Sequence, residues 1–280
     1  MAIMLFKRRE EFFENLILDK EHLKDNFNAG FVGFTFFING EWKVITVDTR
    51  IPYNDDKEVL SKSSVVKAPF WLTLFEKAYA KAFGTYSVLN CTLIKDFLVD
   101  FTGGWSKKIP IKIDEKEGID DKKKNYYFEE LLRRVNQGYL VGCMKYEEKD
   151  KRDFDDPDND NDEEEKIVTN CLYTIIDIQE YEGIKLVFLA NHWEKGKYTD
   201  SFGPDDEQWE ANKRMTDYLQ YTPSTVDGTT WMALEDFLRN FNTIYYCRIF
   251  PEEWAQYNIA GKWAGQSSGG APQKDEVWFL

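Results

Sequence analysis

Thiols, imidazoles and one carboxamide are the side chains in this sequence that could carry covalent chemistry. There are four cysteines, Cys91, Cys143, Cys171 and Cys247, and two histidines, His22 and His192. A cysteine nucleophile needs an imidazole to take its proton and a third group to orient that imidazole. One stretch gathers such residues, "CLYTIIDIQEYEGIKLVFLANHW", with Cys171 at its start and Asn191, His192 and Trp193 at its end. It reads as two strands joined at Gly183, which would bring its ends together. Successive side chains on a strand point to opposite faces, so if Asn191 faces a cleft, His192 faces away from it. Cys171 as nucleophile with His192 as base is therefore disfavoured. The plain readings are a small buried strand cysteine and a surface or satisfied histidine.

Metal chemistry finds little support. The cysteines are scattered with no CxxC pair, which points away from zinc and from a disulfide framework and towards a reducing, intracellular setting. An acidic run, "KYEEKDKRDFDDPDNDNDEEEK" (145–166), holds twelve acidic and five basic residues and carries −7 of the chain's net −14. It fails as a calcium-binding EF-hand loop. Counting from Asp156, Asn161 stands where glycine is needed and Ile167 where the bidentate glutamate is needed. Such a run buries too little apolar surface to order itself, so it reads as a solvated insertion, with a docking tail for a basic partner as the alternative.

The elements that must position these residues come from a chain of 280 residues with 42% hydrophobic and 16% aromatic content. That is enough for one large domain or two small ones. The net charge argues against nucleic acid and anionic membrane surfaces as partners. No apolar run approaches a membrane span, and the N-terminus does not read as a signal peptide. Residues 5–25 read as a helix. "GFVGFTFFINGEWKVITVD" reads as a hairpin with strands at about 31–38 and 41–48 around Asn39-Gly40. "PFWLTLFEKAYAKAFG" places Trp71, Leu74, Phe75, Ala78, Tyr79 and Ala82 on one helical stripe, with Pro69 at its start and Gly84 at its end. The glycines of "DFTGGW" suggest a hinge between lobes. A Lys-rich loop, a short helix around "YYFEELLRRVNQG" and a strand "GYLVGCM" follow. Beyond the opening hairpin, "DEQWEANKRMTDYLQY" reads as helical, and "DGTTWMALEDFLRNFNTIYYCRIFP" as turn, strand, helix and strand.

In order along the chain, "GEWKVITVDTRIP", "FWLTLFEKAYAKAFGTY", "DFTGGW", "VGCM", "DGTTWMALEDFLRNF" and "WAGQSSGG" resemble successive blocks of the calpain cysteine-protease core. The resemblance spans about Gly33 to Gly270. It implies an α+β, papain-like fold in two lobes: a helical first lobe over 1–104 and an antiparallel-β-rich second lobe over 105–256 containing the acidic insertion. Residues 257–280 resemble the start of a following β-sandwich domain. It also implies a setting inside the cell, cytoplasmic and with cytoskeletal or ciliary association. The expected partners are proteins or further domains of a longer chain, a reading that the aromatic Trp278 and Phe279 share.

The resemblance locates the chemistry. The family strand resembling G-H-A-Y-S-V matches Asn170–Ile175, with Tyr173 fixing the register, so Cys171 occupies the histidine position. The family R-N-P-W-G matches Ala190–Glu194, so Asn191 stands at the asparagine position. The nucleophile of a G-D-C-W motif would fall at or just before Met1, and Cys91 lies in the wrong block. The expectation is a pseudoprotease acting as a structural or protein-interaction module. The alternative is an active calcium-dependent endopeptidase with its nucleophile upstream of this chain. The family's calcium positions look eroded: Asp200 and Asp227 match acidic positions, but Pro69 and Thr229 replace others. Weak calcium binding or none is expected, with no other cofactor.

Overall fold

The computed structural model describes residues 16–53, 70–87, 93–113, 119–147, 167–191, 198–222, 228–251, 253–259 and 261–262. The chain separates into two units, Met1–Phe250 and Pro251–Leu280. The second has no helix or strand among its described residues.

The first unit begins with a correction. The described part of the expected 5–25 helix is broken. Ile17 makes a β-bridge to Phe34, the Leu18 amide donates to Gly33 O at 3.0 Å, and Asp19 turns the chain at φ 56°. A 3-10 turn at Lys20–His22 then leads into helix α1, Leu23–Asn28. Pairing with the neighbouring strand overrides the local helical spacing. The Asp19 carboxylate supports the bend by accepting from Asn26 Nδ2 at 3.0 Å and lying 2.8 Å from His22 Nδ1.

The hairpin forms as expected, β1 Phe31–Ile38 against β2 Glu41–Asp48. Asn39 and Gly40 both take positive φ, 55° and 81°, as a two-residue turn between twisted strands requires. Helix α2, Phe70–Phe83, lays Leu74, Phe75, Ala78 and Tyr79 onto β1, with Trp71 and Ala82 half-buried at the margins. Pro69 lies outside the described residues. On α2, Lys77 Nζ donates to Asp48 O and Arg50 O, and Lys81 Nζ to Thr46 O, so two lysines satisfy outward carbonyls along β2 and just beyond it. Helix α3, Ile94–Thr102, adds Leu98 and Phe101. The result is an aromatic core in which Phe36, Phe75, Tyr79 and Phe101 meet at centroid separations of 4.9–5.9 Å.

After Gly104 the structure corrects a second expectation. The predicted Lys-rich loop begins as strand β3, Trp105–Pro110, paired along its full length with the strand at Thr243–Arg248. As an edge strand it carries lysines in place of alternating apolar residues, so the period-2 signal is absent. Helix α4, Asp121–Asn136, is longer than the aromatic stretch suggests. The Asp120 carboxylate caps it by accepting from the Lys123 amide at 2.6 Å, and its first turn is lysine-rich. Strands β4 Leu140–Met144, β5 Tyr173–Tyr181 and β6 Ile184–Ala190 follow.

The predicted helix around Trp209 is split at Asn212 into α5 Gln208–Ala211 and α6 Lys213–Leu219. Asn212 leaves helical geometry at φ −119°, ψ 56° while its side chain donates to Gln208 O. Strand β7 Thr229–Ala233, helix α7 Leu234–Asn240 and strand β8 Thr243–Arg248 complete the unit as expected.

The larger sheet runs β3-β8-β4-β5-β6-β7, and every neighbouring pair is antiparallel. One face packs on α4 and α7 through Leu131, Ile175, Leu189 and Phe237. On the opposite face, Leu140, Met144, Tyr245 and Cys247 join the aromatic core of the first elements. Helices and antiparallel strands thus form an α+β architecture. The acidic run is described only at its start: residues 145–147 lie within the described residues and 148–166 outside them. The Tyr146 amide donates to Asn242 Oδ1, and the Glu147 amide to Asn170 Oδ1.

Candidate active-site region

Four strands bring the candidate residues to one end of the sheet. Gly142, Thr174, Ala190 and Thr229 are successive partners across β4, β5, β6 and β7. One step further out, Cys143 pairs with Tyr173, and the Asn191 amide donates to Gly228 O at 2.6 Å. Asn191 is therefore held by a backbone bond just past the end of β6. Cys171 lies two residues before Tyr173, beyond the paired part of β5, half-buried and packed against the second core. The structure thus places Cys171 and Asn191 at the same end of neighbouring strands. His192 and Trp193 lie outside the described residues, as do Cys91 and Asp227.

Gly228 is a site residue that sequence reasoning passed over. Its φ is 70°, and a methyl group added to it would lie 2.3 Å from the Asn191 carbonyl oxygen. Only glycine lets the two backbones approach this closely. The Asp-Gly pair ahead of a strand was the available signal.

The other described thiols are unsuited to nucleophilic work. Cys143 is fully buried, and desolvation raises its thiol well above the usual range. Cys247 is also fully buried, and burial pushes its thiol up to about 11, partly opposed by a hydrogen bond with Thr102. Both are protonated at neutral pH, whereas attack requires the thiolate. His22, the single histidine among the described residues, sits on the 3-10 turn with its ring against Asp19.

Near α5, the candidate Asp200 and its neighbour Asp206 take part in turn hydrogen bonds, Asp200 through its backbone and Asp206 through its carboxylate. The Asp200 carbonyl accepts the Gly203 amide at 2.8 Å. The Asp206 carboxylate accepts from the Phe202 and Gln208 amides and from Gln208 Nε2, capping the turn into α5. Buried Tyr198 donates towards Ser201 O and Asp236 Oδ2. Burial first, then the charges of Asp236, Asp200 and Asp206, raise its phenol far above the usual range. Among the described residues, no group of three or more His, Cys, Asp or Glu side chains is placed to hold a metal ion. Also among them, no helix is long and apolar enough to cross a membrane.

Comparison with known proteins fits this geometry. Residues 1–248 match the model of the family described as calpain family cysteine protease. The chain is 30% identical to the calpain-type cysteine protease ADL1 of Oryza sativa subsp. japonica over 241 residues, 86% of this chain and 10% of that protein. It is 30% identical to the calpain-type cysteine protease DEK1 of Zea mays over 249 residues, 89% of this chain and 11% of that protein. Human calpain-14 is 27% identical over 270 residues, 89% of this chain and 36% of its own length. The chain therefore spans only about a tenth of the plant relatives and about a third of the human one. The chain belongs to the calpain family of cysteine proteases.

Proposed function

We propose that this calpain-family chain works as a protein-binding or structural module and does not cleave peptide bonds. One observation carries the reading. Cys171 stands two residues before β5, where the family resemblance expects the imidazole base. A neutral thiol has no basic nitrogen to receive a proton, and a positioned general base is worth about 10²–10⁴ in rate. The buried, protonated state of Cys143 and Cys247 supports the reading, since neither supplies a replacement nucleophile. In this reading Asn191 keeps a structural place beside Gly228, and Asp200 and Asp227 bind calcium weakly or not at all. The lobes are residues 1–104 and 105–256, with 257–280 opening a further domain. The setting is cytoplasmic, with cytoskeletal or ciliary association, and the partners are proteins.

The test is hydrolysis of casein and of a fluorogenic peptide by the full-length protein, with and without calcium. No turnover above buffer is expected. Turnover abolished by a papain-family active-site inhibitor would overturn the proposal. It would favour the second reading, a calcium-dependent cysteine endopeptidase with its nucleophile upstream. That reading draws on the retained Asn191 and on the "cysteine protease" in the names of the plant relatives.

A further inference from the structure

The edge strand β3 and the start of the acidic run meet at one residue, Asn242. Its carbonyl oxygen accepts the amide of Ile111, just past the end of β3, at 2.8 Å. Its own amide donates to Met144 O at the end of β4. Its side chain grips the chain beyond: Nδ2 donates to Tyr146 O at 2.7 Å, and Oδ1 accepts the Tyr146 amide at 2.8 Å. Asn170 secures the other side. Its Oδ1 accepts the Glu147 amide at 3.0 Å, and its amide donates to Lys145 O at 2.9 Å. The chain on either side of residues 148–166 is therefore held together by two carboxamides. At this neck Lys108 Nζ of β3 lies 4.4 Å from the centre of the Tyr146 ring.

The charge of β3 runs against that of the chain. Residues 105–113, "WSKKIPIKI", hold three lysines and no acidic residue, in a chain of net charge −14. Lys107, Lys108 and Lys112 are all exposed. Lys107 pairs with Tyr246 and Lys108 with Tyr245, so these two lysines project from opposite faces of the sheet and flank its open edge. Residues 153–165 carry nine acidic side chains and no basic one. A segment of 19 residues pinned at both ends can reach out about 30 Å, half its extended length, whereas β3 spans about 20 Å. Tethering of this kind gives an effective concentration on the order of millimolar, which lets individually weak surface ion pairs act together.

We propose that the lysine-bearing edge of β3 is a docking surface for acidic peptide, and that its occupant is this chain's own run, residues 153–165. Lys107, Lys108 and Lys112 take the carboxylates, and Lys108 is the first of them that the run meets on leaving Tyr146. An acidic segment of another protein reaches this edge only by displacing the run. The inference stands whether or not the chain cleaves peptides, because its test involves no turnover.

The test uses the full chain with a nitroxide-bearing non-natural residue at Phe154, which weakens the NMR signals of amides near it. At low salt the Ser106, Lys107 and Lys108 amides should lose intensity. Those of Trp231 and Met232 on β7, at the opposite edge of the sheet, should not. Salt at about 1 M, where the Debye length is about 3 Å, should restore the lost intensity. Lys107→Gln, Lys108→Gln and Lys112→Gln combined should restore it too, while the same three changed to Arg should keep the loss. Should the Gln variant fail to fold, changing the Asp and Glu residues of 153–165 to Asn and Gln removes the same attraction from the other side. The proposal is overturned if the loss persists undiminished once either set of charges is removed, since the run then passes β3 without binding it. Full intensity at low salt, with β3 signals that shift on adding polyglutamate, would make the occupant an acidic partner and overturn the assignment to the run. A loss that fades on dilution would make it the run of a second copy, and would overturn it equally.

Discussion

The junction around Thr102, between α3 and the large sheet, and the sheet end around Cys171 and Asn191 belong to the same unit, yet they constrain their residues differently. At the junction, the Thr102 hydroxyl, the Cys247 thiol, the Gly104 amide and the missing Gly104 side chain each meet a specific neighbour at contact distance. Changing any one leaves a buried group without a partner or forces two backbones apart. At the sheet end the ladder is complete without the candidate side chains. The β5–β6 pairing closes at Thr174 and Ala190, and Asn191 is tied through its backbone amide. Position 171 lies outside the strand pairing, and its half-buried side chain packs against the second core. A calpain-type architecture can persist while its chemistry changes.

The sharpest test sets the aromatic core against the sheet end. Phe36→Ala removes a fully buried ring that packs on Phe75, Tyr79 and Phe101. It should lower unfolding free energy by about 3–5 kcal/mol in urea titrations. Cys171→Ala should change it by no more than about 1 kcal/mol. A Cys171 effect as large as that of Phe36 would break the comparison, because position 171 would then serve the fold.

Two glycines separate backbone freedom from close approach. Gly183 and Gly228 both take positive φ, but only Gly228 has a carbonyl oxygen, that of Asn191, within contact range of an added methyl. Gly183→Ala should cost about 1 kcal/mol, the strain of a left-handed residue. Gly228→Ala should cost at least about 2 kcal/mol, since strain and clash add. The difference in urea midpoint measures how firmly Asn191 is held.

Asp100 tests the first core by pH. Burial raises its carboxyl above the usual range and Asp96 adds to this, while the hydrogen bond from Tyr79 at 2.5 Å opposes both. The folded state therefore holds this proton more tightly than the unfolded chain does. The stability it contributes is complete below the ordinary carboxylate value and is lost as pH rises through the raised one. Asp100→Asn still accepts from Tyr79 but does not titrate. Urea midpoints from about pH 4 to pH 8 should show a decline in the wild type that the variant lacks.

How far the sequence revealed these regions follows from where each signal resides. Strong local signals survived: the Asn39-Gly40 turn, the apolar stripe of α2, and the strand pair around Gly183 all formed as read. The failures came where tertiary pairing outweighed local pattern. Ile17 was taken from a helical pattern into a bridge with Phe34, and the lysines of β3 gave no alternation because one side of an edge strand is open. At the candidate site, the family resemblance carried the positions of Cys171 and Asn191, and the structure added that they share one end of the sheet. The Asp-Gly pair marked a turn at Gly228, but its contact with Asn191, like that between Thr102 and Cys247, was beyond any local pattern, because the partners are distant in sequence.

The smallest effect probes the edge of the junction around Thr102. Ser106 is the ladder partner of Cys247, and its hydroxyl is buried with no hydrogen-bond partner among the described residues. A buried hydroxyl left in this way has lost its water without compensation, which destabilises the folded state. Ser106→Ala removes the polar atom and leaves the β3–β8 backbone pairing in place, so stability should rise by up to about 1 kcal/mol. Thr102→Ala, one strand start away, should move in the opposite direction because it strips a hydroxyl whose hydrogen-bonding positions are all occupied. Opposite signs for two buried hydroxyls so close together would show that the partners, not the burial, decide what each contributes. If Ser106→Ala also destabilises, the Ser106 hydroxyl has a partner of its own, and the contrast between the two hydroxyls fails.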